Sequence, residues 1–305
     1  GERLERRRWF GLVNSEATCE DVTDDALDWL GEGRKQGPQK PFFLWVHYIE
    51  PHAPYRFQEE YADRLGVNDD KLTRHDRYDT EIAAVDESIA RLLAGVRQAV
   101  DDKDLLVVFT ADHGESLGEH SYWGHGRYLY EPSLRIPFGI VWQGVIPAGT
   151  VHSQATLLDL MPTLLEMAGI EAPADLPGAS WAQTFRGAGE LDERVGCYQS
   201  HRGAVHGDSA RDSDKKRSKG LLWVGVIHNG RKEMIKVSRQ LIQIYDIGTD
   251  PGELTTLASV DTRPSDDLAA CLGRISEGLG SLDKLAVQKL DDETVEQLKA
   301  LGYLE

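Results

Sequence analysis

Cysteine is scarce in this sequence: Cys19, Cys197 and Cys271 are its three in 305 residues, with no Cys-x-x-Cys pair among them. That argues against a structural zinc site built on paired thiolates and against a disulfide framework, and the three are expected to be free structural thiols. Long apolar runs are also missing. The longest, such as FFLWVHYI, fall far short of the roughly 20 residues a membrane helix needs. Positive charge is in deficit, with 34 Lys and Arg against 51 Asp and Glu and a net charge of −17. Nucleic acid and anionic lipid require basic side chains to replace their counterions, so neither is an expected partner. A small anionic substrate would need a local positive centre, such as a metal ion, to overcome that field. The opening GERLERRRWF is basic and lacks the apolar core of a secretory signal. It does not begin with Met, and we expect the true N-terminus upstream.

What is present is a globular composition, 40% apolar and 28% charged, in a chain long enough to bury a sizeable core. Val22, Ala26, Leu27 and Leu30 write one face of a helix that Asp21 or Thr23 can cap. PFFLWVHY, apolar on both faces, predicts a strand buried in a parallel sheet, with His47 a core histidine. Tyr78, Ile82, Val85, Ile89, Leu92 and Val96, four and three apart, predict a long amphipathic helix. LLVVF and IPFGIVW come next as strands. DLMPTLLEMAGI is a helix that Asp159 can cap, with Pro162 in its first turn and Gly169 closing it. Alternating strands and helices predict an α/β fold: a doubly wound, mostly parallel sheet flanked by helices.

The polar stretch from Gly203 to Gly220 reads as a surface loop. Beyond it LLWVGVIH, Asn229-Gly230 and RKEMIKV predict a hairpin, and QLIQIYDI a third strand. A terminal helix is expected behind Asp291 and Asp292, with Val295, Leu298 and Leu301 on one face. We therefore divide the chain into residues 1–200, an α/β domain, and residues 201–305, a small antiparallel α+β subdomain.

In open α/β sheets, ligands bind beyond the carboxyl ends of the strands. Two apolar runs here lead into loops crowded with ionisable groups, HYIEPHAPY and TADHGESLGEH. Asp112 and His113 stand just past the second strand, where Gly114 lets the backbone turn sharply. Together they offer an oxygen and a nitrogen ligand to a divalent cation, Ca²⁺, Mg²⁺, Mn²⁺ or Zn²⁺. The competing reading makes Asp112 a helix cap. His52 is either a loop histidine bonded to backbone or a catalyst. His125, between Gly124 and Gly126, either steadies a turn or faces a ligand. Glu115, Glu119 and His120 read as helix surface or as local hydrogen-bonding groups.

These stretches, taken together, resemble the sulfatase family of the alkaline phosphatase superfamily. TADHGESLGEH is similar to the family's Ser/Thr-x-Asp-His-Gly-Glu stretch, PFFLWVHYIEPHAPY to its strand and Pro-His-x-Pro-Tyr loop, and YDTEIAAVDESIARLL to its long helix. HGRYLYEPSLRIPF, DLMPTLLEMAGI, IYDIGTDPGE and LKALGYL match further segments in the family's order. The resemblance implies that Asp112 and His113 bind one catalytic divalent cation, Ca²⁺ foremost, with Mg²⁺, Mn²⁺ or Zn²⁺ as alternatives. It makes His52 and His125 the catalytic and substrate-binding histidines. His52 would contact the transferring group or assist the leaving oxygen. His125 stands where many sulfatases carry a lysine.

Two departures qualify the resemblance. Many sulfatases have Asn at the position of His113, and His occurs there in phosphonate and phosphodiester hydrolases of the same group. The family's nucleophile motif, Cys/Ser-x-Pro-Ser/Ala-Arg, is absent: Cys19, Cys197 and Cys271 are followed by EDVTD, YQSHR and LGRIS. The expected function is thus the C-terminal portion of a metal-dependent sulfatase acting on a small anionic sulfate ester. Its formylglycine nucleophile is expected upstream, and this chain alone is expected to be inactive. The alternatives are a phosphodiester or phosphonate monoester hydrolase on the same scaffold, and a noncatalytic truncated or degenerate relative.

Overall fold

Thr18 starts the first helix, α1 (Cys19–Lys35). Its amide and hydroxyl bond Asp21 Oδ2 at 3.0 and 3.1 Å, and Asp21 N returns to Thr18 Oγ1 at 3.3 Å, a capping box. The expected caps are corrected: Thr18 is the cap and Asp21, the third residue of the helix, answers it, while Thr23 is buried, its hydroxyl 2.9 Å from that of Tyr48. The computed structural model describes residues 17–35, 41–67, 71–187, 189, 193–201 and 221–282. These fall into two compact units that meet in the chain between Leu105 and Leu106.

In the first unit, α1 lies against α2 (Arg74–Arg97), itself started by a capping box between Thr73 and Asp76. Ala26 and Leu30 of α1 pack on Leu92, Val96 and Ala99, the seam the apolar spacing predicted. Each buried Leu or Val of that seam contributes about 1.5–3 kcal/mol. The run at 41–48 departs from expectation. It forms no ladder with the described residues, and Phe43, Trp45 and His47 are exposed, so His47 is not a core histidine. A strand buried on both faces needs neighbours to take its amides and carbonyls, and the described residues supply none there.

The second unit opens with β1 (Leu106–Thr110), followed by a small hairpin, β2 (Ser116–Leu117) and β3 (Trp123–Gly124), and then β4 (Phe138–Trp142). β1 and β4 pair antiparallel, Leu106 opposite Trp142 and Thr110 opposite Phe138. No parallel ladder occurs among the described residues. Leu106, Ile140 and Trp142 pack on Met167 of α3 (Leu160–Met167) and on Trp181, Ala182 and Phe185, at and just before the turn Ala182–Phe185.

Asp159 does not cap α3. Its carboxylate accepts from Thr156 N at 2.8 Å and Ala179 N at 2.8 Å, and Arg194 grips it with two bonds of 2.8 and 2.7 Å. Burial alone would raise the Asp159 pKa. The Arg194 guanidinium and the two amides outweigh burial and hold it below the usual carboxylate value.

The C-terminal sheet is antiparallel throughout, in the order β5 (Gly196–His201), β6 (Leu221–His228), β7 (Arg231–Lys236), β8 (Leu241–Asp246). Asn229 and Gly230, at φ of 53° and 71°, form the predicted left-handed turn between β6 and β7. β5 and α4 (Asp266–Leu282) were not predicted. α4 lays Leu268 and Cys271, both fully buried, against Val224, Val226 and Ile235. The expectation of three free thiols is corrected here: Cys197 and Cys271 form a disulfide between β5 and α4, and Cys19 alone is free and buried. The loop at 203–220 and the helix at 291–302 lie outside the described residues. Among those described, no helix is long and apolar enough to cross a membrane.

IYDIGTDPGE acquires a physical reason in this unit. Glu253, at φ of 53°, turns inward, and its Oε1 sits 2.7 Å from Lys232 Nζ. Its Oε2 accepts from Glu131 N at 2.6 Å, at the start of the helical turn Glu131–Leu134. Lys232 also bonds Glu131 Oε1 at 3.1 Å. This buried triad ties the C-terminal sheet to the turn behind the candidate site.

Candidate active site

β1 delivers the chain to Ala111, Asp112 and His113, and the close approach of Gly114 to the turn Glu131–Leu134 fixes the path from there. Gly114 N donates to Ser133 O at 3.0 Å, and a Cβ at Gly114 would overlap the Pro132 carbonyl oxygen. Glycine is required by this contact rather than by a left-handed turn. Asp112 Oδ1 accepts from its neighbour's amide, His113 N, at 2.9 Å, and the chain then runs into the β2–β3 hairpin. The helix-cap reading of Asp112 therefore has no helix to serve.

Asp112 Oδ2 lies 3.6 Å from His113 Nε2, and both side chains are partly exposed. A carboxylate oxygen and an imidazole nitrogen at that separation can share one cation. Among the described residues no group of three or more His, Cys, Asp or Glu is placed to hold a metal. His113 Nδ1 is 2.8 Å from Gly114 O. A carbonyl can only accept, so Nδ1 carries hydrogen and Nε2 is the nitrogen left for a ligand.

The hairpin then returns the chain to the same place. Ser116 pairs with Gly124 and Leu117 with Trp123, while Ser116 Oγ meets Ser133 Oγ at 3.1 Å on the buried side. One step beyond that register, Glu115 Oε1 lies 3.1 Å from His125 Nδ1. The Tyr122 hydroxyl donates to His125 O at 2.7 Å. The His113 and His125 rings stack, with centroids 3.7 Å apart and planes 27° from parallel. The other polar groups of the stretch are local. Glu119 Oε2 takes the Leu117 amide at 2.6 Å, and His120 stacks on Tyr130 with centroids 3.7 Å apart.

His52 belongs to the first unit. Its loop, HYIEPHAPY, is held from several sides. Glu50 Oε1 accepts from Cys19 N at 3.1 Å, and two buried side chains of α2, Glu81 and Thr80, take the amides of Arg56 at 2.8 Å and Gln58 at 3.2 Å. Burial raises the Glu50 carboxyl above its usual range, against the lowering by the amides it accepts from. Asp112, His113 and His125 are thus brought together in one unit, and His52 is anchored in the other. Glu115 was missed as a partner of His125, because ten residues separate them and only the hairpin register joins them.

The sulfatase family model matches residues 6–170, which include all four of these residues. An arylsulfatase of Clostridium perfringens is 25% identical over 77% of this chain and 52% of its own length. The canine N-acetylgalactosamine-6-sulfatase is 27% identical over 85% of this chain and 52% of its own. The chain thus spans about half the length of these relatives. Among solved structures, Ps i-CgsB bound to k-i-k-neocarrahexaose superposes with a TM-score of 0.64 at 20% identity, over 90% of this chain and 61% of that one. The phosphonate monoester hydrolase of Silicibacter pomeroyi superposes at 0.60 and 20% identity, over 96% and 69%. These likenesses establish the α/β fold.

Proposed function

Because the chain belongs to the sulfatase family, we propose that it is the C-terminal part of a metal-dependent sulfuric ester hydrolase. The nucleophile is a formylglycine supplied by an upstream segment. The observation that carries this reading is the meeting of Asp112, His113 and His125 past the end of β1. Asp112 and His113 would hold the divalent cation, which when bound supplies positive charge to an ester of tetrahedral acid. His125 turns its Nε2 to a nonbridging oxygen and, when protonated, donates to it as charge accumulates there. By the family resemblance, His52 would contact the transferring group or assist the leaving oxygen. The substrate is a small sulfate ester, in keeping with relatives named as sulfatases.

A second reading, hydrolysis of phosphodiesters or phosphonate monoesters, is favoured by one residue. His113 replaces the Asn of many sulfatases with the residue found in those hydrolases. Rates of the full-length protein on matched aryl sulfate, aryl phosphate and aryl phosphonate esters decide between the two. The sulfate ester is expected to be hydrolysed with the highest kcat/KM. A preference for either phosphorus ester would replace the first reading with the second.

A further inference from the structure

We infer that Glu115 is the positioning residue of His125, fixing which ring nitrogen meets the substrate; this rests on the reading of His125 as a substrate-facing group. An imidazole between two glycines has a free choice of tautomer and a backbone that does little to orient it. The hairpin removes that choice. Continuing the β2–β3 register by one residue sets Glu115 opposite His125, and Glu115 Oε1 comes to 3.1 Å from His125 Nδ1. The Glu115 side chain is 7% exposed, against 28% for His125, so the carboxylate is the buried, fixed member of the pair. When its carboxylate is ionised, Glu115 can only accept, and the hydrogen between the two then sits on Nδ1.

The rest of the neighbourhood holds the pair in register. Ser116 is buried and pinned to Ser133, so the strand that carries Glu115 cannot slide without breaking that contact. The Tyr122 hydroxyl holds the His125 carbonyl from the other strand. His113, stacked on His125, has its own Nδ1 tied to Gly114 O. Two adjacent imidazoles are thus each bonded through Nδ1. With Nδ1 committed to Glu115, the imidazolium form of His125 is the one that presents a hydrogen on Nε2 to a substrate oxygen. Carboxylate partners of this kind orient an active imidazole without touching the substrate.

The test is the imidazole ¹⁵N spectrum of the full chain, recorded at a pH where His125 is neutral. His125 is expected to show a protonated Nδ1 and an unprotonated Nε2. In Glu115→Ala the population shifts toward the Nε2–H form, whereas Glu115→Gln, whose side-chain carbonyl still accepts from Nδ1, retains the original tautomer. A wild-type spectrum dominated by Nε2–H overturns the inference, even if the alanine variant fails to fold. So does an alanine variant that folds with the tautomer unchanged. The readout needs neither metal nor ester and is independent of the sulfatase reading, which the ester comparison tests separately. In the full-length protein Glu115→Ala is expected to lower kcat/KM about ten- to hundredfold, with most of the loss recovered in Glu115→Gln.

Discussion

Replacing Lys232 with methionine is expected to destabilise the second unit by about 3–5 kcal/mol. The ammonium is 1% exposed and stands between Glu253, with no exposed side chain, and Glu131, at 16%. Methionine nearly preserves the volume, so the loss reports charge rather than a cavity. The buried carboxylate of Glu253 and the half-buried one of Glu131 are left without a counter-ion, and removing the partner of a buried charge is what costs most. Neutralising one of them at the same time, in Lys232→Met with Glu253→Gln, is expected to recover a large part of the loss. Urea unfolding followed by tryptophan fluorescence measures both variants. A change below about 1 kcal/mol in the single variant would mean that the triad is hydrated and weak.

Removing the disulfide is the second large effect. The Cys197–Cys271 bond closes 74 residues of sequence, which in the chain-entropy account corresponds to about 4 kcal/mol. Cys197→Ser with Cys271→Ser is expected to lower the urea midpoint by that equivalent, and reductant is expected to do the same to the wild type. Thiol titration of the denatured, unreduced chain provides the check: one reactive thiol, Cys19, is expected. Three thiols would show that the bond does not form. The bond belongs to oxidising surroundings, so the titration is done on protein kept from reductant.

Much of this architecture was legible because local rules and long-range packing agree. The α2 spacing, the strands at LLVVF and IPFGIVW and the Asn229-Gly230 turn are each written within a short window, and the structure has them all. The failures have a common cause. PFFLWVHY has the composition of a buried strand, but a strand exists only with a neighbour, and composition does not name one. Cys197 and Cys271 were read as separate because their spacing matches no motif. Their partnership depends on α4 packing across β6, a fact of tertiary structure. Asp159 looked like a cap because it precedes an apolar helix. Arg194, 35 residues on, claims its carboxylate instead.

The candidate site divides the same way. Asp112 and His113 were visible as neighbours in sequence, and their joint position past β1 comes from the strand. The stacking of His125 on His113 and the burial of Glu115 depend on the hairpin doubling back, which only register and the contact with the turn Glu131–Leu134 establish.

The most direct test of the central proposal is turnover of an aryl sulfate by the full-length protein with and without Asp112→Ala. If Asp112 and His113 form half of a catalytic cation site completed from upstream, the wild type turns over repeatedly. The variant then loses at least about a hundredfold in kcat. An Asp112→Ala protein that hydrolyses the ester at the wild-type rate would contradict the account.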